Sequence, residues 1–328
     1  TQLLKSLVYN IKNEAGKTQS NPLNFLIFDY KNDYQDDLFV SATNAQILSV
    51  TKIPLNYFVL AESYSQQAAY KRAKAFISTL SRIYSGFGPV QNDNLTEVIM
   101  SLYARPGNPA PRMSEIAAQY KAKVGNKTDS AVAILNQFVY LEVFDDSPES
   151  STDMAHLLSD RVTVVALDQL GSDVQTKNAI VVLLLDLYYE YMLKSPKWDF
   201  EGAAPNQIRK LNSYLLVDEA TNIMQHEFDV LDSILLQGRQ LGFGVILASQ
   251  YVSHFKTATK KYYQPLLTWF IHKVPGITKS ELSMIGFKQA DDAMAAKVAN
   301  FEIHEALVST LDVEGVAMMG LPFYRLVQ

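Results

Sequence analysis

The sequence contains no cysteine in 328 residues. Disulfides and thiolate metal sites are therefore excluded. The absence fits a reducing compartment, and a cytoplasmic location is expected. Histidine is scarce. The five residues (His156, His226, His254, His272 and His304) show no close ligand spacing and read as scattered surface or core side chains. An excess of positive charge is also missing. The net charge is −5, so a general basic coat for nucleic acid is absent and any DNA contact must be local. No hydrophobic run is long enough to span a bilayer. The most apolar stretch, AIVVLLLDLYYEYML (179–193), is interrupted by Asp186 and Glu190 and is expected to form a buried helix. There is no visible signal peptide, internal repeat or low-complexity segment.

What is present is the composition of a globular protein, 48% hydrophobic and 19% charged. The length allows one large domain or two moderate ones. The chain opens on Thr1, not Met, and is expected to be part of a longer one.

Gly16-Lys17-Thr18, within AGKTQS (15–20), has the last three letters of a phosphate-binding P-loop. That loop reads G-x-x-x-x-G-K-[ST] and joins a strand to the helix it opens. Here the residue five before Gly16 is Ile11. Leu3, Leu4, Leu7, Val8 and Ile11 predict a helix before the triplet, over 2–13, and LNFLIFDY predicts a strand after it. The order is the reverse of what phosphate binding needs. Gly16 is expected to end a helix.

The remaining pattern alternates. Strands are predicted at 24–29, at 46–50, at 161–170 ending in Asp168, at 213–220, at 243–250 and at 266–274. A helix is expected over 174–194 and another closing at Gly242, with two short helices between 278 and 298. GVAMMG and FYRLVQ read as closing edge strands. Residues 62–140 have few strand signals. Their helical stretches are separated by GFGPVQND and RPGNPAPRMS, which are rich in Gly, Pro and Asn. The fold class is α/β, a mainly parallel sheet with helices on both faces and a helical insertion. Residues 1–61 and 141–328 form the core, and 62–140 the insertion.

YLLVDEATN (214–222) carries the strongest chemical signal. An apolar strand delivers Asp218 and Glu219 to its carboxyl end, where open α/β sheets bind ligands. A Walker B motif has this form. Its first acid helps hold Mg²⁺ on nucleotide phosphates, and the second can polarise water. The alternative is a solvated acidic turn capping the next helix. One helix and one strand later, GRQLGFGVILASQ ends in Gln250, whose amide could contact a γ-phosphate and the attacking water, or could be a plain polar strand end. Arg239 sits in the last turn of its helix, where the dipole favours a cation. Its functional alternative is an arginine finger acting on a neighbouring subunit.

LLVDEATN followed by GRQLGFGVILASQ resembles the core of the HerA/FtsK superfamily of ring-forming P-loop ATPases. FLIFDYKNDY, with Asp29 and Lys31, is similar to the strand after that family's P-loop helix. VTVVALDQLG and GVAMMGLPFYRL also look like family strands, so the resemblance covers most of the chain in order. It implies a RecA-like fold, ATP and Mg²⁺ as ligands, and a ring oligomer. Glu219 would activate water, Gln250 would sense the phosphate, Arg239 could act in trans, and Asp218 and Thr1 would hold Mg²⁺. Thr1 would be the last residue of a P-loop lying upstream. Gly16-Lys17-Thr18 would then be a decoy, and the 328-residue chain alone would be inactive. PLNYF, FISTLSRIYSGFGPVQ and GRQLGFGVILASQ are similar to the DndH/DptH-type ATPase of phosphorothioation-dependent restriction. That implies duplex DNA and other subunits of a restriction or translocation complex as partners.

SHFKTATKKYY (253–263) offers Lys256, Lys260 and Lys261 with aromatics to a DNA backbone, or is a solvated amphipathic loop. Two other functions compete with a DNA motor. One is a type IV secretion-like ATPase that moves protein. The other is a catalytically inactive scaffold. An ABC-type ATPase is disfavoured, because no LSGGQ-like signature precedes Asp218.

Overall fold

The computed structural model of the chain describes residues 1–18, 23–125, 127–147, 152–202 and 208–328. The chain begins with α1 (Gln2–Thr18), β1 (Asn24–Asp29), α2 (Asp37–Thr43) and β2 (Ala45–Ser49). Helices α3 (Gln66–Tyr84), α4 (Pro89–Tyr103), α5 (Met113–Lys123) and α6 (Ser130–Tyr140) follow. After them come α7 (Met154–Leu158), β3 (Val162–Ala166) and α8 (Val174–Lys194). The next stretch holds β4 (Phe200–Glu201), β5 (Ile208–Arg209), β6 (Ser213–Val217), α9 (Thr221–Met224), α10 (Asp229–Leu241) and β7 (Phe243–Leu247). Last are β8 (Trp269–Ile271), α11 (Lys279–Met284), α12 (Asp292–Ala299), β9 (Glu305–Ser309), β10 (Val316–Met319) and α13 (Phe323–Leu326). Two compact units result. The first comprises Thr1–Ile47, Leu158–Val164 and Ser195–Gln328, and the second Leu48–Leu157 and Val165–Lys194.

The first unit is built on a mostly parallel sheet of order β2-β3-β1-β6-β7. β1 pairs in parallel with β6, and β6 with β7, with Ile27 opposite Leu216 and Leu216 opposite Ile246. Every residue of β1 is buried, as a parallel strand covered on both faces should be. Leu4 and Val8 of α1 join Phe25, Ile27, Val164 and Leu216 in the core. The register is keyed by an aromatic row. Phe25 and Tyr214 stack at 5.4 Å, and Tyr214 stands opposite Gly244. A Cβ on Gly244 would lie 2.0 Å from the Tyr214 ring, so the glycine makes room for it. α10 stops at Gly242, which has φ of 75° and caps the helix through its N–H to the Gly238 carbonyl. The carboxyl ends of β1, β6 and β7 are thereby fixed side by side.

Several sequence expectations change. Strand β3 ends at Ala166, and Asp168 lies in a 3-10 turn, Leu167–Leu170. α1 runs on through Gly16, which keeps helical backbone and does not end the helix; Gln19 and Ser20 lie outside the described residues. β8, β9 and β10 form their own antiparallel sheet, with β9 central. FYRLVQ is a helical turn, not an edge strand. Pro322 caps it, and Phe323 is buried edge-on against Tyr9 and Phe39. Among the described residues, no helix is long and apolar enough to cross a membrane.

The second unit gathers α3–α7 and α8. α8 is buried along most of its length, and its two acids are matched by partners. Tyr57 donates its hydroxyl to Asp186 Oδ2 at 2.8 Å. Arg72 Nη2 lies 2.5 Å from Glu190 Oε1, and the guanidinium sits 4.8 Å from the Tyr57 ring centroid. Burial pushes the Asp186 carboxyl from 3.8 up to about 6, against the opposing pull of the Tyr57 hydrogen bond and Arg72. The folded state therefore binds the Asp186 proton more tightly than the unfolded chain, and stability falls as pH rises between those two values. Asp186→Asn should remove that slope. Its stability relative to wild type should rise by on the order of 3 kcal/mol from pH 3.5 to pH 6.5 in urea unfolding. Parallel curves for the two proteins would contradict it.

Candidate active site

The site begins with one buried carboxylate. Asp29 ends β1 and is 1% exposed. Its Oδ1 accepts the backbone N–H groups of Asp33 at 2.9 Å and Lys31 at 3.2 Å. Its Oδ2 accepts from the Tyr34 N–H and from Gln35 Nε2, both at 3.0 Å. Four donors on one side chain wind residues 30–35 into a fixed loop. That loop presents two side chains to the neighbouring strand end. Tyr34 donates its hydroxyl to Asp218 Oδ2 at 3.1 Å, and Lys31 Nζ bonds Glu219 Oε1.

Asp218 and Glu219 follow β6 directly. Glu219 has φ of 53°, a left-handed backbone that a non-glycine residue adopts at some cost. The turn is held by the Glu219 N–H on Asp218 Oδ1 at 3.0 Å and the Ala220 N–H on the Ala248 carbonyl at 2.8 Å. Gln250, just past β7, directs Nε2 at both Glu219 oxygens from 3.4 Å. Those are long contacts, and so weak ones. Thr1 lines the same groove as Asp218 and Glu219 and lies within electrostatic range of Asp218, which puts the start of α1 beside the end of β6. An ion pair from Lys5 to Asp36 holds the first turn of α1 to the far end of the same loop.

The electrostatics are uneven. Burial pushes the Asp218 carboxyl above its ordinary value, opposed by the Tyr34 hydrogen bond. Burial and then Asp218 push the Tyr34 hydroxyl well up, so it stays a donor. The hydrogen bond to Glu219 raises Lys31, with help from the charges of Glu219, Asp218 and Asp33. Lys31 therefore remains a cation.

Thr1, Asp218, Glu219 and Gln250 thus meet at one end of the sheet. Arg239 does not join them. α10 carries the chain back to the amino end of β7, roughly 20 Å along the chain from Gln250. Arg239 and the acids line opposite ends of one groove of about 910 Å³ that follows β7. Lys256 and Lys261 are exposed and bridge as a short antiparallel pair. Lys260 is instead held by Asp229 at 2.9 Å and Asp232 at 3.1 Å.

The sequence pattern assigned no role to Tyr34 or to the polar knot behind Gln250. In that knot His254 Nδ1 lies 2.7 Å from Ser249 Oγ and 2.9 Å from Thr221 Oγ1, and the two hydroxyls are 2.6 Å apart. FDYKNDY held a signal for the loop, since an Asp at a strand end readily binds the backbone ahead of it. Nothing in the sequence paired Thr221 with His254, because only the β6–β7 register brings them together.

Among the described residues, no group of three or more His, Cys, Asp or Glu could hold a metal. Asp218 and the hydroxyl-bearing Thr1 line the same groove. The adjacent Gln2 also carries a buried Oε1 without a described donor.

No protein-family model matches the chain, and the curated proteins give no match. A solved structure, that of VirB4 of Thermoanaerobacter pseudethanolicus, superposes with a TM-score of 0.71 at 12% identity, over 97% of this chain and 86% of that one. The fold is RecA-like α/β. At this identity the likeness concerns the fold, and the chemistry rests on the side chains above.

The Asp29 cage predicts its own sensitivity. Asp29→Ala leaves four donors without their acceptor and should lower stability by about 2–4 kcal/mol in denaturant unfolding. Asp29→Asn, which keeps one acceptor oxygen, should lower it less. An unchanged midpoint for the alanine variant would contradict the cage.

Proposed function

We propose that the chain is the ATP-hydrolysing core of a ring-forming motor. The observation that carries this reading is the convergence of Thr1, Lys31, Asp218, Glu219 and Gln250 at the carboxyl ends of adjacent parallel strands, where such sheets bind ligands. The likeness to VirB4, a type IV secretion ATPase, supports an ATPase motor.

In this reading Asp218 and Thr1 hold Mg²⁺, which when bound offsets charge on the phosphates. Glu219 takes a proton from the attacking water. The water oxygen bonds to the γ-phosphorus as the bond to the bridging oxygen breaks, and ADP and phosphate leave. The Gln250 amide orients water and phosphate. Arg239 lies too far along β7 to serve its own site, so its role is to reach a neighbour's nucleotide across a head-to-tail interface. Residues 62–140 are a helical insertion into this core.

The finer reading is translocation of duplex DNA, within a HerA/FtsK-type restriction complex. Lys256 and Lys261 supply the cations for the DNA backbone, and Lys260 pins their segment to α10. The VirB4 likeness is equally consistent with a second reading, a type IV secretion-like ATPase that moves protein.

The test is Mg²⁺-ATP turnover by the full-length protein, with and without duplex DNA. Glu219→Gln should lower kcat by about 10²–10⁴-fold. Stimulation by duplex DNA supports the DNA motor, and turnover indifferent to DNA favours the protein-moving one. A full-length protein that never turns over ATP would leave a scaffold with an ATPase fold.

A further inference from the structure

The loop after β1 places a cation on the acid assigned to water activation. Lys31 Nζ bonds Glu219 Oε1, the oxygen that also faces Gln250 Nε2. With the Lys31 ammonium on it, Oε1 is already engaged and is not open to an attacking water. In this geometry Glu219 is restrained.

The two partners differ in freedom. The Lys31 backbone N–H is fixed on Asp29, but its side chain is 56% exposed, against 20% for Glu219. An ion pair this open to water holds weakly. A lysine is a mobile point charge and changes partner without having to match a planar geometry. It also lines the same groove end as Thr1, Asp218 and Gln250. The charges of Glu219, Asp218 and Asp33 all act on it, so a cation is kept waiting among acids.

We propose that Lys31 reads the γ-phosphate: it holds Glu219 while the site is empty, and moves onto the terminal phosphate when ATP binds, which frees Glu219 for water. This rests on the ATPase reading and adds a positioning residue to it. The terminal phosphate carries a charge of about −1.5 to −2 at neutral pH and attracts the ammonium more strongly than one carboxylate does. ADP ends one phosphate short, so Lys31 returns to Glu219. The same lysine then distinguishes the two nucleotides and gates the base. Hydrolysis waits for the charge that signals a complete substrate.

The test uses binding, so it does not depend on turnover. In full-length protein carrying Glu219→Gln, which should not hydrolyse ATP, the Kd values for Mg²⁺-ATP and Mg²⁺-ADP are measured by titration calorimetry with and without Lys31→Met. Lys31→Met should weaken ATP by about tenfold or more and leave ADP within about twofold. Lys31→Arg should restore the preference for ATP. A circular dichroism melt checks folding, which an exposed side chain should not disturb. Equal weakening of both nucleotides, or no change in either, would overturn the role given to Lys31 while leaving the ATPase reading intact. Failure of the otherwise wild-type protein to bind either nucleotide would bring down the ATPase reading, and this proposal with it.

Discussion

The Asp29 carboxylate is the contact on which the rest of the site depends. It is buried at the end of β1, and all four of its hydrogen bonds go to residues 31–35. Such a group is costly to bury and costly to leave half-satisfied, so the loop it organises has little freedom. Because β1 and β6 are neighbours in register, that loop lies against the turn after β6. Each acid of the turn receives its own partner, Tyr34 for Asp218 and Lys31 for Glu219. A carboxylate that touches neither acid thus sets the surroundings of both.

The strand ends themselves are placed by packing. The row Phe25–Tyr214–Gly244 locks β1, β6 and β7 at one level. Beyond that level the backbone leaves regular geometry. Glu219 adopts a left-handed conformation where a glycine would have been easier. Strain of this kind persists where surrounding contacts over-determine it, and here the Asp218 side chain and the Ala248 carbonyl do so.

Much of this was legible in the sequence. Continuous apolar runs such as NFLIFD and SYLLV announced buried parallel strands, and DEA after the second put two acids at a strand end. The glycine after GRQL marked the end of α10. Less legible was anything decided by tertiary contact. FYRLVQ alternates enough to pass for a strand, but Phe323 is drawn into a cluster with Tyr9 and Phe39, and a helical turn delivers it there. α5, whose buried face is Met113, Ile116, Ala117 and Tyr120, was hidden by the Pro- and Gly-rich stretch before it. Lys260 looked like a free cation until α10 set Asp229 and Asp232 beside it. The pairing of Thr221 with His254 joins residues 33 apart in sequence and depends on the β6–β7 register.

We propose that the ends of β1, β6 and β7 form one nucleotide site. Hydrogen–deuterium exchange on the full-length protein, with and without Mg²⁺ and a non-hydrolysable ATP analogue, tests it most directly. Protection should change together in three separate segments, residues 29–35, 217–221 and 248–252, while the α3–α6 helices stay as they were. Nucleotide-dependent changes that avoid these three segments would contradict it.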